Sequence, residues 1–529
     1  MSSDRILHAA CCCRVIAASL CLGLWLLSAV TTAKAEPSAA EQSTAQALDK
    51  LRDDPLRLHE FLFRMPKGAD LHSHLHSAVY AETLIADAVD DGLCIDPASK
   101  SFAKAQPVAA GAGQGPVCEQ GDVPAATVYQ DQDLYNALID AFSMRGFVPS
   151  EGETGHDHFF GAFQKFGGTN PSHTGEWLDE VAARAARQNL QYLELMATPT
   201  WHRLNDITKD VAWRDDLASL RDELLAKGLA GDIPAARAFW DQAEATRNAR
   251  GDCEALEASP ACNVELRYIY EVFRSTPKEL VFAQALFGFM LAAADPRVVA
   301  INFVGEEDGH TAMTDYAEHM RMVGYLRDLY PDVHVSLHAG ELAPGLVPPE
   351  GLCCHIRLAV EQARSDRIGH GVDIMYEDAP YELMKLMADR GVLVEINLTS
   401  NADVLGVSGK HHPFPIYRAF KVPVALSTDD AGIERIDLTH EYVRAVETYG
   451  LSYADLKEMV RNSLEFGFLS GTSLWAEGRG YTTVAPACAG DALGAEAPSQ
   501  ACAAFLEGSE KATQQWGLEW RFRAFEASH

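Results

Sequence analysis

The chain has 529 residues, with 75 acidic against 44 basic side chains and a formal charge of -31. Phosphate backbones and anionic lipid repel so acidic a chain, which excludes nucleic-acid binding and polybasic membrane attachment and leaves small neutral or cationic ligands open. With 47% hydrophobic and 22% charged residues it reads as an ordinary globular protein, long enough for one large domain with additions.

In chain order, the first segment is a leader. Val15 to Val30 carry no charge, Arg5 and Arg14 precede them, and Ala33-Lys34-Ala35 follow. A basic start, a short apolar core and an A-x-A site predict an export signal over 1–35, cleaved after Ala35. Cleavage removes three basic residues and one acidic one, taking the charge from -31 to -33. No later segment is apolar enough to span a membrane, so the mature chain is expected to be exported, periplasmic or extracellular. Four of the 12 cysteines leave with the leader. Six of the rest pair by proximity in polar stretches (Cys94 with Cys118, Cys253 with Cys262, Cys488 with Cys502), as disulfides pinning surface segments do in an exported protein. Adjacent Cys353 and Cys354 carry no assignment.

Residues 36–64 read as a helical extension. From Gly68 onward, strand candidates alternate with amphipathic helices. The strands are Ala69–Leu71, Leu190–Met196, Val264–Phe273, Val298–Phe303, Val333–Leu337, Arg367-Ile368, Val392–Ile396 and Val424–Leu426. The helices include Glu176–Gln188, Lys278–Ala293, Thr311–Leu329, Ile356–Arg364 and Tyr381–Arg390. Eight such units predict an α/β fold, a closed (β/α)8 TIM barrel over about 65–472. An open doubly wound sheet is the rival, and no glycine-rich phosphate loop supports it. The stretch 91–174 is too long for a βα loop and reads as an insertion, closed in part by Cys94 and Cys118. After Thr472 the barrel pattern ends in a C-terminal extension, 473–529, with one closing helix over Gln500–Phe525.

The strand ends carry the chemistry. The first strand runs into His72-Ser73-His74, whose i, i+2 spacing puts both imidazoles on one face. The fifth ends in His338-Ala339-Gly340-Glu341, the sixth in Gly369-His370-Gly371 and the eighth in Thr428-Asp429-Asp430. In a barrel these converge on the C-terminal rim. His72, His74, His338 and Asp429 make the ligand set that zinc or another borderline divalent ion prefers, and one ion per chain is expected. Such an ion lowers the pKa of its water from 15.7 to roughly 7. Glu341 and His370 are then proton-transfer candidates, with Asp430 a second carboxylate beside the metal. H-E-x-x-H, the H-x-E with P-C-x-x-C pattern and G-x-S-x-G are absent.

These motifs, with Met65-Pro66-Lys67-Gly68 ahead of them, resemble those of the adenosine deaminase family of metal-dependent amidohydrolases, over about residues 62–470. The leader, helical extension and bracketed insertion look like its secreted, growth-factor-related branch. The resemblance implies zinc at His72, His74, His338 and Asp429. It implies that Glu341 protonates purine N1, that His370 serves as base and electrostatic partner, and that Asp430 orients the nucleophile or meets N7. Val304-Gly305-Glu306-Glu307 resembles the family's substrate loop, which would set Gly305 near purine N3. The implied activity is hydrolytic deamination of adenosine or 2'-deoxyadenosine. Other 6-aminopurines, or a non-catalytic binding role, are the alternatives. Both a monomer and a homodimer fit.

His76-Ser77 departs from the Asp-Gly usual there, whose aspartate meets the ribose 5'-hydroxyl in the family. His76 would replace that contact, act as a base near the metal, or cap the next helix. Asn302 likewise stands where the family often has aspartate. His156 and His158, before Phe159-Phe160, belong either to a substrate lid or to a solvated loop. Trp201-His202 line the pocket or pack in the core, and His411-His412 begin a helix.

Overall fold

The computed structural model describes residues 37–106, 117–199 and 201–529, without the side chains of Trp201 and His202; the leader lies outside the described residues. Residues from Ser38 onward form one compact unit. Its centre is an eight-stranded parallel sheet of β1 (Gly68–His74), β2 (Leu190–Met196), β3 (Glu265–Phe273), β4 (Val298–Val304), β5 (His334–Ala339), β6 (Arg367–His370), β7 (Leu393–Ile396) and β8 (Val424–Leu426), paired in that order. The sheet closes where Asp429 N–H donates to His72 O at 2.8 Å and His74 N–H to Asp429 O at 3.3 Å. This is the (β/α)8 barrel. The same closure sets two of the expected metal ligands side by side.

Most strand residues are buried because helices cover the outer face and side chains fill the lumen. The lumen also holds charge. Arg367, fully buried, bridges Glu194 at 2.6 Å and Glu395 at 2.5 Å, with its guanidinium 3.8 Å from the centre of the Phe468 ring. Neither carboxylate could stay ionised in that setting without a partner.

Residues 36–64 form two helices, α1 (Ala39–Leu51) and α2 (Pro55–Arg64). The break falls at Asp54, whose carboxylate caps α2 by accepting from Arg57 N–H, with Pro55 opening the helix. Lys67, buried, donates to the carbonyls of Leu62, Met65 and Gln188, tying α2 to the start of β1. The closing helix is also two, Gln500–Glu507 and Glu510–Glu526, because Gly508 interrupts the run and Ser509 caps a new start. Helices at 217–226 and 233–250 follow β2, and the sequence reading has neither. They help to bury the Lys278–Ala294 helix almost all round.

The insertion after β1 begins with three short antiparallel strands (Cys94–Asp96, Ser101–Ala103, Val123–Pro124). It ends in α3 (Gly155–Phe166), which a Thr154/Asp157 capping box starts. The three expected cysteine pairs are disulfides, and Cys353 is bonded to Cys354. Among the described residues no helix is long and apolar enough to cross a membrane.

Candidate metal and active site

His72, His74, His338, Asp429, Asp430, Glu341 and His370 meet at the C-terminal rim. His338 Nε2 lies 3.1 Å from His72 Nε2 and 3.2 Å from His74 Nε2. Asp429 Oδ1 lies 3.3 Å and 3.5 Å from those two nitrogens. A tetrahedral ion with ligands at roughly 2.0–2.1 Å has ligand-to-ligand edges of about 3.3–3.4 Å, close to these four distances.

Each imidazole is turned so that its other nitrogen meets an acceptor. His72 Nδ1 donates to Glu395 at 2.6 Å, His74 Nδ1 to Glu271 at 3.1 Å, and His338 Nδ1 to Asn302 Oδ1 at 2.9 Å. All three Nε2 lone pairs are thereby left for an ion. Asn302 thus serves where the family often has aspartate, and its oxygen also accepts the His338 backbone N–H at 2.9 Å. The carboxylates favour positive charge at the centre: although burial opposes it, Asp429 and Glu395 push His72 up to about 10. A divalent cation satisfies that field with neutral imidazoles. The donor set fits a divalent metal.

Close packing also constrains the backbone here. A Cβ on Gly369 would fall 2.6 Å from His72 Cε1, so no side chain fits there. His370 and Asp429 both adopt positive φ, 68° and 59°, a strain uncommon outside glycine and often concentrated at working sites.

A cavity of about 320 Å³ opens onto these groups, lined by His74, His338, Glu341, Asp429, Asp430 and Gly305. The insertion supplies one wall through Phe159, Phe160 and Phe163 of α3. Phe159 and Phe160, which follow His156 and His158, thus line the cavity themselves. His156 anchors α3 to Asp308, 3.0 Å away beyond β4, while His158 is held by Glu153 at 2.8 Å. Gly305 has φ +91°, a conformation that favours glycine, and a Cβ there would stand 3.8 Å from Ser275 Oγ. Among the described residues no lysine or arginine lines this cavity.

Burial, with Asp429 and Glu307 nearby, raises Glu341 well above the usual carboxylate range, which favours its protonated form. Burial also lifts Asp430 to about 7, opposed by His74 and aided by Asp429. Ser77 Oγ donates to Asp430 Oδ1. His370 is buried behind the cavity, its Nδ1 3.7 Å from Glu341 and its Nε2 3.6 Å from Asp429 Oδ2. Burial drives it down to about 3, against the pull of Asp429.

His76 requires correction. It lies inside the single-turn helix Leu75–Ala78, so it caps nothing, and it does not line the cavity. Its ring stacks on Trp177 at 4.9 Å and meets the Phe166 edge at 5.2 Å. Burial lowers it to about 4, which keeps it neutral. In this structure its ring packs between the insertion and the barrel. His412 likewise points inward, its Nε2 donating to Asn401 at 2.9 Å just ahead of the Phe414–Ala419 helix.

The adenosine deaminase family model matches residues 246–473. The adenosine deaminase of Clostridium perfringens is 35% identical over 138 residues, 26% of this chain and 38% of that protein. That of Pectobacterium atrosepticum is 30% identical over 177 residues, 33% of this chain and 47% of that protein. Over residues 246–473 the chain is similar to the adenosine deaminase family. It spans less than half the length of these two curated relatives. The crystal structure of adenine deaminase from Arthrobacter aurescens is similar at 16% identity and a TM-score of 0.46, over 77% of this chain and 94% of that one. The family match covers β3 to β8, and the His72-Ser73-His74 motif lies ahead of it on β1.

Proposed function

We propose that this chain is an exported, zinc-dependent deaminase that converts adenosine and 2'-deoxyadenosine to inosine and ammonia. The observation that carries the proposal is Glu341, a carboxyl group held well above its usual range, beside a cluster of three imidazoles and Asp429, in a cavity with an aromatic wall and, among the described residues, no cationic side chain. Zinc suits three imidazoles and one carboxylate, and when bound it supplies an activated water at neutral pH.

The chain's own residues do the rest. Phe159, Phe160 and Phe163 cover the purine faces and exclude water, while Gly305 lets the ring approach the β4 loop on its N3 side. Glu341 gives its proton to N1, which draws electron density from C6 and opens that carbon to attack. Asp430 orients the attacking oxygen and takes up its proton, to which its position near neutrality is suited. His370 supports charge developing beside Asp429. Asp430 returns that proton to the C6 amine, the C6–N bond breaks and ammonia leaves, and the C6 hydroxyl gives its proton back to Glu341.

A nucleoside suits the cavity better than a nucleotide, since a phosphate would meet Glu271 and Glu306 with no basic partner among the described lining residues. Four disulfides support export. One observation favours a second reading, a different 6-aminopurine: with His76 turned away, the position that meets the ribose in the family offers no contact. Incubating the chain lacking residues 1–35 with adenosine, adenine and modified adenosines, and following ammonia release with and without a chelator, tests both. Adenosine turnover lost to the chelator supports the first reading. Turnover of adenine alone supports the second, and no turnover of any purine by zinc-loaded protein refutes both.

A further inference from the structure

We infer that His412 and Asn401 are positioning residues that fix His370 in one tautomer, with its proton on Nε2 facing Asp429. The Phe414 backbone N–H can only donate, and it does so to His412 Nδ1 at 3.1 Å. The neutral His412 ring must then carry its proton on Nε2, which donates to Asn401 Oδ1 at 2.9 Å. That fixes the Asn401 amide, whose Nδ2 donates to His370 Nδ1 at 2.9 Å. With Nδ1 accepting, a neutral His370 carries its proton on Nε2, the nitrogen 3.6 Å from Asp429 Oδ2. A second amide, Asn397, is held through its oxygen by Ser427 Oγ at 2.7 Å, and its Nδ2 stands 3.5 Å from Nδ1 and 3.4 Å from Nε2, so it does not select between the two tautomers. All of these side chains are buried, so water does not compete for the bonds.

Two consequences follow. His370 lies within reach of the same centre as His72, His338 and Asp429, and could serve as a ligand in place of His74. A proton on Nε2 denies the ion that lone pair and leaves the fourth corner to His74, whose Nδ1 proton goes to Glu271. On the deaminase reading proposed above, His370 also enters the reaction as a hydrogen-bond donor to the attacking oxygen rather than as its first base. This narrows the role that the family resemblance implies for it.

The test is nitrogen-15 NMR of histidine-labelled, metal-loaded protein, with the His370 signals identified by their loss in His370→Asn and by contact with the Asn401 amide. Wild-type protein is expected to show His370 with a protonated Nε2 and an accepting Nδ1. His412→Phe removes the donor that orients Asn401, and a mixture of tautomers is expected. Asn401→Asp replaces the donating amide with an acceptor, which should move the proton to Nδ1. His412→Gln places an amide donor where Nε2 stands and should restore the wild-type signature. In parallel, His412→Phe and Asn401→Asp should lower kcat by about 10–100-fold with KM nearly unchanged, and His412→Gln should recover most of it. A wild-type His370 protonated on Nδ1, or a signature unchanged in both His412→Phe and Asn401→Asp, overturns the inference. If His412→Phe does not fold, Asn401→Asp decides alone. The NMR result stands whether or not adenosine proves to be the substrate, so failure of the functional reading and failure of this inference are separable.

Discussion

Glu307 is buried and reaches back from the β4 loop to the turn after β5, accepting the backbone N–H groups of Gly340 and Glu341 at 2.9 Å each. His355 Nδ1 donates to it at 2.5 Å. Burial favours its neutral form, but His355, Arg274 and the Gly340 amide outweigh that and hold it at about 2, against 4.5 for an ordinary glutamate. Because the folded value is depressed, the stabilisation is fully present above pH 4.5 and is lost as the pH falls towards 2. The difference corresponds to about 3 kcal/mol at neutral pH, in line with two hydrogen bonds to a charged acceptor at roughly 1.5–3 kcal/mol each. Glu307→Gln keeps one acceptor and opposes the other N–H with a donor. The variant should be about 3 kcal/mol less stable than wild type at pH 7, with the gap closing as wild type protonates. Its kcat should fall about 100-fold, since a 1 Å misplacement of Glu341 costs that much, while bound metal is unchanged. Urea unfolding midpoints of both proteins between pH 7 and pH 3, disulfides intact, measure the gap. A gap that stays constant across that range, or full activity in the variant, would refute the assignment of Glu307 as the anchor of Glu341.

His74→Ala should lose metal and activity together, whereas Glu341→Gln should keep the metal and lose turnover; metal analysis of both checks the split, and equal loss would place Glu341 among the ligands. Asn302→Leu removes the acceptor of His338 Nδ1, so metal affinity in a chelator competition should weaken by about 10–100-fold. Phe163→Ala strips part of the aromatic wall, and steady-state kinetics should show KM raised by roughly tenfold with kcat little changed. Arg367→Met leaves Glu194 and Glu395 buried without their cation and should cost about 3–5 kcal/mol in denaturant unfolding.

The residues gathered at the rim are legible in the sequence because they sit at strand ends in short motifs, where the barrel's geometry brings them together whatever lies between. His72 and His74 share a face through the two-residue period, and His338, His370 and Asp429 follow from where β5, β6 and β8 stop. The residues that orient them are less legible, because each acts across the barrel on a partner far away in sequence: Glu395 on His72, Glu271 on His74, Asn401 on His370. A signal was nevertheless present. Glu194 in Leu-Glu-Leu, Glu271 in Tyr-Glu-Val and Glu395 in Val-Glu-Ile are single charges inside apolar strands, and a buried strand keeps a carboxylate only where it has a partner. His76 misleads for the opposite reason. Its place after His74 suggests a ligand neighbour, but Leu75–Ala78 turns at once into a helix that swings the ring onto Trp177, a packing partner supplied from beyond the insertion.

These strand carboxylates also explain why the site calls for a cation. Glu194, Glu271, Glu395 and Asp429 enter the lumen and its rim, while Arg367 is their buried guanidinium and spends its bonds on Glu194 and Glu395. With neutral imidazoles the excess is negative, in a region where unpaired charge is costly. Protonating His72 relieves part of it, but His72 and His74 both point Nε2 at His338, so charging more than one ring brings like charges to within 3.1–3.2 Å. A single divalent ion at the common focus relieves the excess without that repulsion and uses the lone pairs that Glu395, Glu271 and Asn302 have already turned inward. The electrostatics of the lumen and the hydrogen bonding of the rim therefore call for the same occupant.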